Sequence, residues 1–186
     1  MGRGAGGSGS GFGGGGGIGA TESGMTKAMA RGVVNAEKAI AGNNYETLHA
    51  FDENGNVVYT AVGNEKRVKY IGRKTVDAVV THNHPNGAAF SAADLKNAVF
   101  FNQKEIRATG KEFTFSMKRP EGGWNRTGAA VARKFNQLHK EASNQYHKLK
   151  TGDAAVDRKL WIKLSTNTSA QLAQSFGWKF TVKKNK

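Results

Sequence analysis

Residues 76–95 read VDAVVTHNHPNGAAFSAADL, and this stretch constrains the fold more than any other. An apolar, β-branched run predicts a strand over 76–82, and Pro85-Asn86-Gly87 predicts a tight turn. Ser91 then stands as an N-cap, with Asp94 at N3 and Phe90 and Leu95 in the positions of a hydrophobic staple, so a helix is expected from Ser91 to about Gln103. A strand, a turn and a helix in that order belong to a sheet flanked by helices. Two of the chain's five histidines, His82 and His84, sit at the strand's end.

Residues two apart in a strand project to one face, so the two imidazoles can converge. The turn can bring Asp94 back toward them. Two histidines, one carboxylate and an open position describe a catalytic zinc site rather than a closed structural one. Each residue also has a plainer account: the histidines as a hydrogen-bonded pair, and Ser91 with Asp94 as an ordinary capping box.

The flanking sequence supplies further elements. MTKAMARGVVNAEKAIA spaces apolar residues as an amphipathic helix from Met25 to about Ala41, interrupted by Gly32. Asp52-Glu53-Asn54-Gly55 between YETLHAF and NVVYTAV predicts a hairpin over 45–62. KEFTFSMKR at 111–119 alternates as a strand, with Phe113, Phe115 and Met117 on one face. A long helix is expected from Gly128 to Leu149 with Val131, Phe135, Leu138, Ala142 and Leu149 on one side. A shorter helical piece near 154–175 and a final WKFTV follow. The expected class is α/β (α+β), a mixed sheet flanked by helices.

HNHP followed by Ser and Asp on a strand-loop-helix resembles the JAMM (MPN-type, JAB-domain) zinc metallopeptidases. The variant HNHP is most like the RadC-type and phage-associated bacterial branches. The resemblance covers about residues 25–118 and implies a JAB/MPN-like, cytidine-deaminase-like fold. It also implies a zinc ion on His82, His84 and Asp94, with Ser91 beside an activated water. The family's upstream Glu matches Glu46, which its residue type alone would leave as a solvated strand-edge carboxylate. Hydrolysis of a peptide or isopeptide bond, with Glu46 as general base and Ser91 at the oxyanion, is the implied chemistry. The segment PNGAAF between His84 and Ser91 is one residue shorter than the family's usual spacing. The string HNH is not the nuclease motif of that name, whose residues spread over a longer unit.

Composition sets the remaining bounds. With no cysteine, thiolate metal sites, disulfides and cysteine nucleophiles are excluded. Residues 1–24 form a Gly/Ser-rich leader expected to be disordered. No segment reads as a signal peptide or membrane span, so a cytoplasmic or virion-associated protein is expected. The net charge of +14 is concentrated in residues 117–186, which carry 15 Lys and Arg against 4 Asp and Glu. Residues 119–186 therefore read as a basic, mainly helical C-terminal extension. Nucleic acid or an acidic partner could bind it, and a solvated helix face would look the same. Its aromatics fall at helical spacing and read as core, while His49, His139 and His147 read as structural or exposed. The expected partners are a protein or peptide substrate and, in view of the leader and the basic tail, a phage or mobile-element assembly. The alternatives are a RadC-like nucleic-acid-associated module and a phage- or toxin-associated JAB-like domain with little peptidase activity.

Overall fold

Alternation and turn chemistry build a six-stranded mixed sheet with helices on both faces, as described for residues 25–186 by a computed structural model. The leader expected over 1–24 lies outside the described residues. In chain order the elements are α1 (Lys27–Ile40), β1 (Thr47–Phe51), β2 (Val57–Val62), β3 (Val79–Asn83), α2 (Ala92–Phe100), β4 (Glu105–Thr109), β5 (Phe113–Lys118), α3 (Gly128–Leu149), α4 (Ala154–Phe176) and β6 (Lys179–Lys184). The strands lie in the order β2-β1-β3-β4-β5-β6. Among the described residues only β3 and β4 run parallel, joined by the α2 crossover; every other neighbouring pair is antiparallel.

The period of two along each strand divides the sheet into two faces. Leu48, Val80, Ile106, Ala108, Phe115 and Met117 point into a main core that α2, α3 and α4 cover. The segment expected as an extension is built into that core: Trp124, Val131, Phe135, Ile162, Leu172 and Trp178 are all buried in it. The tail aromatics are tied down there, with Trp124 Nε1 donating to the Gln103 carbonyl at 3.0 Å and Trp178 Nε1 to the Trp124 carbonyl at 3.2 Å. On the opposite face α1 packs Met29 and Val33 against Phe51 and Val79.

Gly32, which weakens the helical pattern of α1, marks a close approach. A Cβ there would lie 2.8 Å from the Gly55 carbonyl oxygen, and Gly55 itself has φ +85° in the hairpin turn. The two glycines let the helix and the β1–β2 turn touch backbone to backbone.

Several boundaries differ from the sequence expectation. β3 begins at Val79 rather than 76, because Asp77 adopts φ 54° and cannot continue an extended strand. α2 stops at Phe100 because Asn102 turns left-handed at φ 50°. β4 went unrecognised: EIRAT offers one large apolar residue, Ile106, and its charges are buried rather than solvated. Arg107 Nε donates to Glu37 Oε1 at 2.6 Å and its Nη1 to Glu105 Oε1 at 2.6 Å, so the cation is held between two carboxylates under α1. α4 is not the shorter helix expected but runs 23 residues. It buries Ser165 and Thr168, whose hydroxyls bond back to the Ile162 and Leu164 carbonyls, and these polar positions break up its apolar stripe. Leu149, expected on the buried side of α3, is exposed in that helix's last turn.

Candidate metal centre

Three elements deliver the site. His82 lies in β3 facing the main core, His84 follows the strand's last residue, and Asp94 occupies the first turn of α2. The connecting loop has a defined form. Gly87 at φ +75° turns the chain, its N–H donates to the His84 carbonyl at 2.9 Å, and the Asn86 side chain accepts from the Ala88 N–H at 2.9 Å. α4 braces the loop, Ser165 Oγ accepting from the Ala89 N–H at 3.1 Å. Ser91 Oγ then caps α2 by accepting from the Asp94 N–H at 3.2 Å, while Asp94 Oδ2 accepts from the Ser91 N–H at 2.7 Å.

The three side chains meet at one point. His82 Nε2 and His84 Nε2 are 2.9 Å apart, and Asp94 places Oδ1 3.4 Å from the first and Oδ2 3.5 Å from the second. A tetrahedral zinc ion with bonds of 2.0–2.1 Å separates its ligand atoms by about 3.3 Å. The two imidazole nitrogens lie a little inside that value, each has a different carboxylate oxygen near it, and one ligand atom from each residue lies within 4.8 Å of the others, so the group could hold a small cation.

The tautomers point the same way. His84 Nδ1 lies 3.0 Å from the Ala88 carbonyl oxygen, which can only accept, so Nδ1 carries the hydrogen and the neutral ring turns the Nε2 lone pair toward the shared point. A ligating histidine is normally oriented by such a bond. His82 Nδ1 is buried without a hydrogen-bond partner among the described residues.

Electrostatics bind the cluster together. Burial disfavours a charged His84, yet the hydrogen bond and charge of Asp94 outweigh it and raise the ring to about 9. Burial likewise works against an ionised Asp94, and His82 and His84 overcome it, holding the carboxyl well below its usual range. A proton and a metal cation thus compete for one lone-pair cluster.

Glu46 and Ser91 line the same cleft of about 490 Å³ as the three candidate ligands. Leu48 pairs with His82 across the antiparallel β1–β3 ladder, and continuing that register sets Glu46 opposite His84. The clamp there is Asn83, the middle residue of HNH, whose side chain turns to the other face. Its Oδ1 accepts from the Thr47 N–H at 2.7 Å and its Nδ2 donates to the Tyr45 carbonyl at 2.9 Å. Burial raises the Glu46 pKa, opposed by the nearby His84 and His82, which moves this carboxyl toward the range of a working base.

Sequence reasoning missed Asn83 and much of the cleft wall. Tyr70 reaches the cleft from the irregular segment after β2, where no periodicity marks it; burial and the Asp94 charge push its phenol to about 12. Trp161 from α4 also lines the cleft, as does His139 from α3, a histidine read from sequence as structural or exposed. His139 stacks on Phe135 at 5.7 Å and meets Trp161 edge-on at 5.4 Å. The spacing of Phe135 and His139 by one helical turn was the available signal.

No family model matches the chain, and neither a curated protein nor a solved structure is significantly similar to it. Among the described residues, no helix is long and apolar enough to cross a membrane.

Proposed function

We propose that the chain is a zinc-dependent hydrolase of JAMM type on a JAB/MPN-like fold, acting on a peptide or isopeptide bond. The observation that carries this reading is the convergence of His82 Nε2, His84 Nε2 and the Asp94 carboxylate on one point in a cleft that also holds Glu46. His82, His84 and Asp94 are the residues that would hold the metal. When bound, zinc supplies a Lewis acid and lowers the pKa of a coordinated water to about 7.

The protein's own groups then divide the remaining work. Glu46, held beside His84 by the Asn83 clamp, accepts the proton of the attacking water and returns it to the leaving amine. Its raised pKa suits both halves of that transfer. The Ser91 Oγ already accepts a hydrogen bond from the Asp94 N–H, which leaves its own hydrogen free to donate to the developing oxyanion. His139 and Trp161, set edge-to-face, form an aromatic part of the cleft wall against which a substrate chain can lie.

The test is incubation of the zinc-loaded protein with a mixture of blocked peptides and Lys-linked isopeptides, read by mass spectrometry. Cleavage that a chelator abolishes and zinc restores supports the reading. Cleavage indifferent to the chelator, or equal in Glu46→Gln, contradicts it.

A further inference from the structure

α3 packs chiefly on α2 and α4, and those two helices, rather than α3, make the main contacts with the strands on that face of the sheet. Val131, Phe135, Leu138 and Ala142 form its buried side. On the opposite side Arg133, Gln137, Lys140, Asn144 and Lys148 follow one another at steps of four, three, four and four residues, so they share one face. All five are exposed, and at 1.5 Å per residue the stripe runs about 22 Å along the helix. Lys96 of α2 passes beside Gly128 at the start of α3, and Lys150 stands exposed at its end.

A helix face that serves only to meet water gains support from acids set three or four residues from its bases. α3 is built otherwise. Residues 122–152 hold six Lys and Arg against one acid, Glu141, whose neighbours three and four positions away are Gln137, Leu138, Asn144 and Gln145. None of the five side chains of the stripe has a hydrogen bond or ion pair among the described residues. The face is a run of uncompensated cations and free amides held out from the molecule.

From this we propose that the outward face of α3 docks in the major groove of duplex DNA. A helix with its side chains is about 10–12 Å across, and the groove is about 12 Å wide. Arg and Lys reach guanine there and Asn and Gln reach adenine, while Lys96 and Lys150 at the two ends are placed for flanking phosphates. The choice of a DNA duplex also rests on what the face lacks. Tyr146 and His139 are turned onto Trp161, which leaves no aromatic side chain on the stripe to stack the bases of a single strand. Nor does the stripe carry an apolar anchor for the core of a protein interface. Duplex RNA is excluded by its deep, narrow major groove. The inference is independent of the hydrolase reading, because it uses the outward face of α3 and not the cleft.

The experiment is fluorescence anisotropy of a short labelled DNA duplex with the full chain over a salt series, with single-stranded DNA, duplex RNA and polyglutamate as competitors. Replacing Arg133, Lys140 and Lys148 by Gln should weaken binding roughly tenfold or more and make the log–log salt slope shallower by about two to three, at about 0.9 for each phosphate no longer neutralised. The matching change at Lys27, Arg31 and Lys38, exposed on α1 across the sheet, removes the same charge and should leave affinity within about twofold. Both sets touch only exposed side chains, so neither disturbs the core. Methyl green, which occupies the major groove, should displace the protein, and distamycin, which occupies the minor groove, should not. Absence of duplex binding at low salt, or equal losses from the α3 and α1 sets, would overturn the proposal. Tighter binding of single-stranded DNA or duplex RNA, equal competition by polyglutamate, or displacement by distamycin alone would overturn the choice of ligand or of groove.

Discussion

Ser91 and Asp94 hold each other at the start of α2, each accepting a backbone N–H from the other, and the Asp94 carboxylate that closes this capping box also faces His82 and His84. The cap and the candidate ligand are therefore the same group in two roles. Replacing Ser91 by Ala should cost about 1 kcal/mol of stability through the lost cap. Metal affinity should change little, because the candidate ligand carboxylate is aimed by the Ser91 backbone N–H, which Ala retains. Denaturant titration and competition with a chelator measure the two effects separately. A strongly weakened metal affinity would show that the Ser91 hydroxyl also takes part in placing the carboxylate.

In the proposed hydrolase Glu46 differs from the candidate ligands in what it does. A base is needed for proton transfer and not for holding the ion, so Glu46→Gln should retain metal while losing hydrolysis by roughly a hundredfold. Asn83→Ala, which releases the Thr47 N–H and the Tyr45 carbonyl, should move in the same direction without removing a ligand. Asp52→Asn is the control, since Asp52 accepts from Asn54 and Asn56 inside the hairpin turn. Rates and metal content measured side by side decide this, and parent-like turnover by Glu46→Gln would remove it from the mechanism.

The buried triad of Glu37, Arg107 and Glu105 makes a prediction about stability alone. Arg107→Leu leaves two carboxylates under α1 without their cation and should destabilise the fold by about 3–5 kcal/mol. Metal affinity should be unaffected, because the triad occupies the other face of the sheet. Urea unfolding followed by far-UV circular dichroism supplies the first number. A loss below about 1 kcal/mol would mean that water relieves the two acids.

Gly32→Ala tests the contact between α1 and the hairpin. Helix propensity alone favours Ala by about 1 kcal/mol. The new Cβ, 2.8 Å from the Gly55 carbonyl oxygen, should reverse that sign and destabilise by about 1–3 kcal/mol. A stabilised variant would show that the helix can shift away from the turn.

Much of this arrangement was legible in the residues. Short-range signals carried it: the Asp52–Gly55 turn, the alternation of Phe113, Phe115 and Met117, and the capping pattern at Ser91 all depend on neighbours a few positions apart. So did the candidate ligands, because the strand period and the capping box fix where His82, His84 and Asp94 point. What stayed hidden depends on distant partners. β4 disguises itself as solvent-facing chain because Arg107 finds its counter-charge on α1, far away in sequence. The packing of α3 and α4 into the main core, and with it the placing of His139 and Trp161 beside the candidate metal centre, follows from tertiary burial that a basic composition conceals. Asn83 was invisible because its value lies in backbone groups on the neighbouring β1 segment.

The central claim is that His82, His84 and Asp94 hold a metal ion, and elemental analysis of the zinc-equilibrated, dialysed protein beside a His82→Ala, His84→Ala double variant tests it most directly. The account predicts about one zinc per chain in the parent and essentially none in the variant. Little zinc in the folded parent, or the same amount in both proteins, would contradict it.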